Sequence, residues 1–165
     1  YVQEYIIGVS IYPHFFYSPI KGELEFMGFD KRYESSVDGV FRIPVHEQIK
    51  QRLNPSFSVV GNFPLVARES LLGPMFEMGE KIVAQSHKIA APGTIGPFCL
   101  ETIVTEDLDI VAFEISARIV AGCNANIGGD PYTYLKYREP MYMGKRIARE
   151  IKEATRQDAL DKIIT

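Results

Sequence analysis

CLETIVTEDLDIVAFEISARIVAG, Cys99–Gly122, is the stretch on which the fold reading turns. It consists of two apolar runs joined by the acidic turn Glu106-Asp107-Leu108-Asp109, and each run carries one glutamate in its middle. Side chains alternate between the two faces of a strand. Glu114, Ser116 and Arg118 therefore share one face, and Phe113, Ile115, Ala117 and Ile119 form an opposite, core-packed face. On the first run Glu101 lies with Cys99 and Ile103, away from Phe98, Leu100 and Thr102. A hairpin centred on Asp107 and Leu108 sets Glu101 directly across from Glu114, with Cβ atoms about 4.5–5.5 Å apart. Two like charges so placed repel, and partial burial sharpens the conflict. Three arrangements relieve it: protonation of one carboxyl, neutralisation by Arg118, or a hard divalent cation between the two. An exposed hairpin face on which two glutamates simply coincide accounts for the same spacing.

The remainder of the chain reads outward from this hairpin. Residues 1–18 are β-branched and aromatic and are interrupted by Gly8, which predicts a short strand end, a kink and a second strand. Residues 23–33 continue the β pattern after the Ser-Pro-Ile-Lys-Gly turn, as the partner of a hairpin. A short helix is expected over Val45–Leu53 and a strand within Ser56–Val66. Pro74 is placed at the first turn of a helix running to Ala90, with Met75, Phe76, Ile82, Val83 and Ile89 on its apolar side. A Gly/Asn-rich loop then leads to an amphipathic terminal helix from Met143, with Ile147, Ile151 and Ala154 facing inward. The fold class is α+β, a mainly antiparallel sheet with flanking helices.

Composition narrows the function. At 165 residues, 46% hydrophobic and 24% charged, the chain buries a real core as a single unit. A net charge of −3 gives no basic field for nucleic acid. No apolar run approaches the roughly 18–20 residues needed to span a bilayer. The two cysteines lack framework spacing and fit a reduced, cytoplasmic protein. The chain starts at Tyr1, within a strand-like pattern and without Met, and reads as the C-terminal part of a longer polypeptide. No glycine-rich phosphate loop occurs.

Glu101 followed by FEISAR at Phe113–Arg118 resembles the metal-binding hairpin of the ATP-grasp superfamily. More specifically, the blocks EYIIGVSIYPHFFYSP, GFDKRYESSVDG, GNFPLVARESLL, FEMGEKIVA, PGTIGPFCLE and MGKRIAREIK resemble the archaeal formate-dependent 5-formaminoimidazole-4-carboxamide ribonucleotide synthetase family, nearly end to end. The resemblance covers that family's C-terminal portion; its N-terminal half is absent. It implies an ATP-grasp C-terminal lobe, and an ATP-dependent formylation of aminoimidazole carboxamide ribonucleotide by way of formyl phosphate. It implies Mg²⁺ or Mn²⁺ on Glu101 and Glu114, with a weaker contact from Ser116, which stands where most ATP-grasp enzymes have Asn. Arg118 is implied at the γ-phosphate, and Gln3, Glu4, Tyr5 and Ile6 at the adenine hinge. A homo-oligomer in the cytoplasm is also implied. Alternatives are an ATP-grasp ligase for another acid, or a non-catalytic nucleotide-binding or oligomerisation lobe.

Beside the resemblance, Glu34 is a candidate for a ribose or ATP contact and Asp30 a weaker one, with Lys31 and Arg32 balancing these acids. Asn62 is a candidate for the substrate's carboxamide or ribose, or a turn residue. Arg68 is a candidate for the substrate phosphate, or a surface ion pair. His14, among aromatic neighbours, reads as packing. Cys123 reads as structural, because no base is indicated nearby.

Overall fold

The computed structural model describes residues 2–164. Its centre is a five-stranded antiparallel sheet in the order β3-β2-β1-β4-β5. The strands are β1 (Val9–Ser18), β2 (Glu23–Glu34), β3 (Val59–Pro64), β4 (Gly96–Val104) and β5 (Ile110–Ser116). Five helices accompany them: α1 (Val37–Val40), α2 (Val45–Lys50), α3 (Glu69–Ile89), α4 (Pro131–Tyr137) and α5 (Met143–Arg156). The expected α+β class is found. The strand end expected before Gly8 is not: residues 2–7 carry no regular structure, and Tyr1 lies outside the described residues. Gly8 is there because the chain passes close to β4, where a Cβ would come within 2.4 Å of the Val104 carbonyl oxygen.

One sheet face packs under α3, in two clusters. Ile11, Phe29, Leu71, Met75 and Val104 form one, and Phe15, Leu24, Val83, Phe98 and Leu100 the other. Pro74 lies inside α3 rather than at its start. The helix begins five residues earlier because Leu71, Met75, Gly79 and Val83 recur at its buried face and hold the first turn against the sheet. Gly79 admits the Phe15 ring, whose edge would lie 2.9 Å from an added Cβ. Ile89, expected inward, is exposed.

The other face is covered by a 3₁₀ turn (Ala121–Asn126) and by α5, through Tyr12, Phe16, Met27, Cys99, Met141 and Met143. The buried positions of α5 are Met143, Arg146, Glu150 and Ala154, whereas Ile151 is half exposed. Charge displaces the expected aliphatic stripe because β2 presents a buried carboxylate. Arg146 donates to both oxygens of Glu25 at 3.0 Å and to Glu150 at 2.8 Å, its guanidinium lying 4.1 Å from the centre of the Phe16 ring. Ser18 and Tyr137 complete the cluster through Glu150 and Glu25. Burial alone would raise the Glu25 carboxyl, but Arg146 and Tyr137 hold it below the usual carboxylate range. Helix α4 was not anticipated, although Asp130-Pro131-Tyr132-Thr133 spells its start. Asp130 caps it, Pro131 occupies its first turn and Thr133 returns a bond to the Asp130 N–H.

Candidate functional site

The expected hairpin is present, and Glu101 pairs with Glu114, Leu100 with Ile115 and Cys99 with Ser116. Beyond Glu101 the register shifts, so that Thr102 faces Ala112 and Phe113 is the extra residue of a bulge. The turn is thus not symmetric about Asp107 and Leu108; the bulge restores the glutamate pair. The predicted inward face of β5 is overturned. Phe113 is 36% exposed, its ring meeting Tyr12 edge-on at 6.3 Å, and Ile115 and Ile119 are 52% and 48% exposed, because β5 is the edge strand of the sheet. Ser116 is the buried residue of β5, and its hydroxyl lies 3.5 Å from Glu101.

Glu101 is itself buried, and its neutralising partner is Arg32 of β2, at 2.5 Å. Arg32 also sits 4.6 Å from the centre of the Tyr12 ring. Burial would lower the Arg32 guanidinium, but the Glu101 carboxylate more than offsets it and holds the charge on. Arg118, expected to neutralise the pair, is exposed and donates to the Ile119 carbonyl at 2.9 Å. Arg32 and Arg118 nonetheless line one pocket of about 230 Å³ with Tyr12, Asp30, Asn62 and Gly122. It presents two guanidinium groups and the Asn62 amide above the buried Asp30 carboxylate, a set suited to an anionic ligand.

Gln3, Glu4, Tyr5 and Ile6 line a groove of about 380 Å³ with Ile103 and Val111–Phe113, on the far side of the glutamate pair along β5. An adjoining groove of about 440 Å³ joins Tyr5 and Ile6 to Glu34, Lys31, Arg32, Phe41, Phe57 and Phe113. The exposed aromatic rings here offer flat apolar surface beside charged groups. The Glu34 backbone N–H is taken by Asp38 at 2.5 Å. Arg68 stands exposed at the start of α3 and lines none of these three cavities.

Two carboxylates and a hydroxyl suit a hard cation that takes its remaining ligands from phosphate and water. Among the described residues no group of three or more His, Cys, Asp or Glu is placed to hold a metal ion. Glu101, Glu114 and Ser116 therefore fit a cation arriving with a phosphorylated ligand better than a closed protein cage. Glu114, exposed on the edge strand, is the carboxylate free to turn toward it.

Sequence reasoning missed the group beneath the pocket. His14 Nε2 lies 2.5 Å from Asp30, His14 Nδ1 lies 3.3 Å from the Cys123 sulfur, and Asn62 donates to the second Asp30 oxygen at 2.6 Å. Cys123 is thus not without a base. Its signal was not local, since His14 and Cys123 stand 109 residues apart. Burial alone would lower the His14 pKa, but Asp30 and Cys123 raise it to about 9. A histidine raised from its ordinary 6.5 stabilises the fold fully below about pH 6.5, and that contribution is lost as pH rises through 9. Denaturation midpoints are therefore expected to fall between pH 6.5 and 9.5, by up to about 3 kcal/mol in unfolding free energy. A flat profile across that window contradicts a charged His14.

A family model described as "Domain of unknown function (DUF1297)" matches residues 1–165. The chain is 50% identical over 165 residues to a Methanocaldococcus jannaschii protein named 5-formaminoimidazole-4-carboxamide-1-(beta)-D-ribofuranosyl 5'-monophosphate synthetase, all of this chain aligning with 46% of that one. It is 56% identical to the protein of the same name from Pyrococcus horikoshii, with 99% of this chain and 49% of the relative covered. Its fold is similar to the crystal structure of an IMP biosynthesis protein PurP from Thermococcus kodakaraensis: TM-score 0.83 and 37% identity, over 98% of this chain and 50% of that one. The chain spans about half the length of the curated relatives it matches. It belongs to the DUF1297 family.

Proposed function

We propose that the chain is the C-terminal ATP-grasp portion of a ligase that formylates 5-aminoimidazole-4-carboxamide ribonucleotide with formate and ATP. The observation that carries this reading is the Glu101–Glu114 cross-strand pair, set between a groove lined by Gln3–Ile6 and a pocket lined by Arg32, Arg118 and Asn62. The names of the relatives supply the substrate class.

In this reading a formate oxygen attacks the γ-phosphorus of ATP and ADP departs, leaving formyl phosphate. The substrate's 5-amino nitrogen then attacks the formyl carbon. Phosphate leaves with the formate oxygen, and the amine loses its proton. Mg²⁺ or Mn²⁺, held by Glu101 and Glu114 with Ser116 beside them, would offset the phosphate charge during transfer. The protein's own residues orient and neutralise. Tyr5, Ile6 and Phe113 cover the base, Glu34 accepts from the ribose, and Arg118 with Arg32 faces the transferring phosphoryl group and the acyl phosphate. Asn62 bonds the carboxamide, and Arg68, remote from the pocket, is left to a phosphate reaching the start of α3. Such an enzyme works in the cytoplasm, as a homo-oligomer.

The test is phosphate release by the complete polypeptide, with ATP, the ribonucleotide and a panel of formate, acetate, glycine and bicarbonate. Release that needs both formate and the ribonucleotide is expected. Turnover with another acid and none with formate contradicts the assignment to formate. No turnover with any acid contradicts the ligase reading.

A further inference from the structure

Cys123, His14 and Asp30 form a thiol–imidazole–carboxylate chain that the proposed ligation does not use. The sulfur lies 3.3 Å from Nδ1, and Nε2 lies 2.5 Å from a carboxylate oxygen. Asn62 fixes the other oxygen at 2.6 Å, so the carboxylate cannot rotate away from the imidazole. His14 and Asp30 are 1% and 2% exposed, which keeps water from competing for these bonds. Cys123 is different: it is partly exposed, on a 3₁₀ turn, two residues from Ala121 and one from Gly122 at the pocket wall.

The two cysteines contrast. Cys99 is buried, its sulfur directed to the Leu100 carbonyl, and burial pushes its thiol well up. Cys123 has an imidazole within reach to take its proton and a carboxylate behind that imidazole to stabilise the cation. This is the arrangement that activates a thiol nucleophile. The titratable groups around His14 are Asp30, Cys123 and, through space, Asp130; Arg32 and Glu101 lie beyond Asp30 across the pocket.

We propose that Cys123 is a reactive thiol, a covalent modification site for small disulfides and other soft electrophiles, activated by His14 and oriented through Asp30. In the disulfide reaction the Cys123 sulfur attacks one sulfur of the reagent as the partner of a charged His14, which already holds the thiol's proton. The reagent's S–S bond breaks, and the departing thiolate takes that proton. Cys123 is oxidised to the mixed disulfide and half of the reagent is reduced to thiol. The inference rests on the cluster alone and stands whether or not the ligase reading holds.

The experiment is timed alkylation of the complete polypeptide with iodoacetamide, followed by peptide mass spectrometry, with oxidised glutathione as a second reagent. Cys123 is expected to react at least tenfold faster than Cys99. Its rate is expected to fall less than tenfold from pH 8.5 to pH 6, where an ordinary thiol loses about 100-fold of its thiolate. His14→Gln is expected to restore the ordinary pH dependence. Equal rates at the two cysteines, or an ordinary pH profile in the unsubstituted protein, overturns the proposal. Because that profile needs no variant, a His14→Gln protein that fails to fold does not shelter it. If the variant folds and Cys123 keeps its rate, His14 is not the activating base and the proposal fails.

Discussion

Glu114→Gln is expected to lower ATP-dependent turnover of the complete polypeptide by about 10²–10³-fold while leaving its melting temperature within a degree or two. The asymmetry follows from position. Glu114 is exposed on the edge strand β5 and, among the described residues, no ion pair or hydrogen bond holds its carboxylate, so neutralising it removes little from the fold. In the proposed site it supplies one of two negative charges to the cation. Glu101→Gln is a different experiment, because Glu101 is buried and neutralises Arg32 at 2.5 Å. That change removes the same charge from the cation and leaves a half-buried guanidinium without its partner, so activity and stability fall together. Steady-state rates beside thermal melts separate the two cases. Unchanged turnover in Glu114→Gln removes it as a ligand.

Arg146→Met is expected to destabilise the fold by about 3–5 kcal/mol, read as a shift in the urea midpoint. Arg146 is fully buried and serves three acceptor oxygens on two carboxylates. Removing it leaves Glu25 and Glu150 with the Tyr137 and Ser18 hydroxyls as hydrogen-bond donors and Lys136, 3.3 Å from Glu25, as the remaining paired cation. Replacing the group together, Arg146→Met with Glu25→Leu and Glu150→Leu, is expected to recover most of the loss, since buried ion clusters contribute little against apolar residues of similar volume. A midpoint for Arg146→Met within about 1 kcal/mol of the parent shows that the cluster is not what fastens α5 to β2.

Much of the fold was legible in local patterns. Strand parity and turn residues gave the β4–β5 hairpin, the glutamate pair and the α+β class, because a hairpin's register depends on nearby residues. Parity failed on β5 itself. Phe113 is the bulge residue and meets the Tyr12 ring, while Ile115 and Ile119 look made for a core, yet an apolar strand face is buried only if some other element covers it, and sequence alternation does not say whether one does. Arg146 and Glu150 were readable as an i,i+4 pair, but their burial depends on Glu25, 121 residues from Arg146. The site divides the same way. Gln3–Ile6 and the hairpin carboxylates are contiguous or symmetrically spaced, and they stood out. Arg32 against Glu101, and His14 between Asp30 and Cys123, are joined only by the order β2-β1-β4 and by the 3₁₀ turn laid over it. No spacing rule along the chain connects them.

In the proposed function the β4–β5 carboxylate pair carries the cation of a phosphorylated nucleotide. Electron paramagnetic resonance of Mn²⁺ with ATP, on the complete polypeptide and its Glu114→Gln variant, tests it most directly. Bound Mn²⁺ is expected only with nucleotide present, its affinity falling at least tenfold in the variant. Equal Mn²⁺ affinity in the two proteins would contradict it.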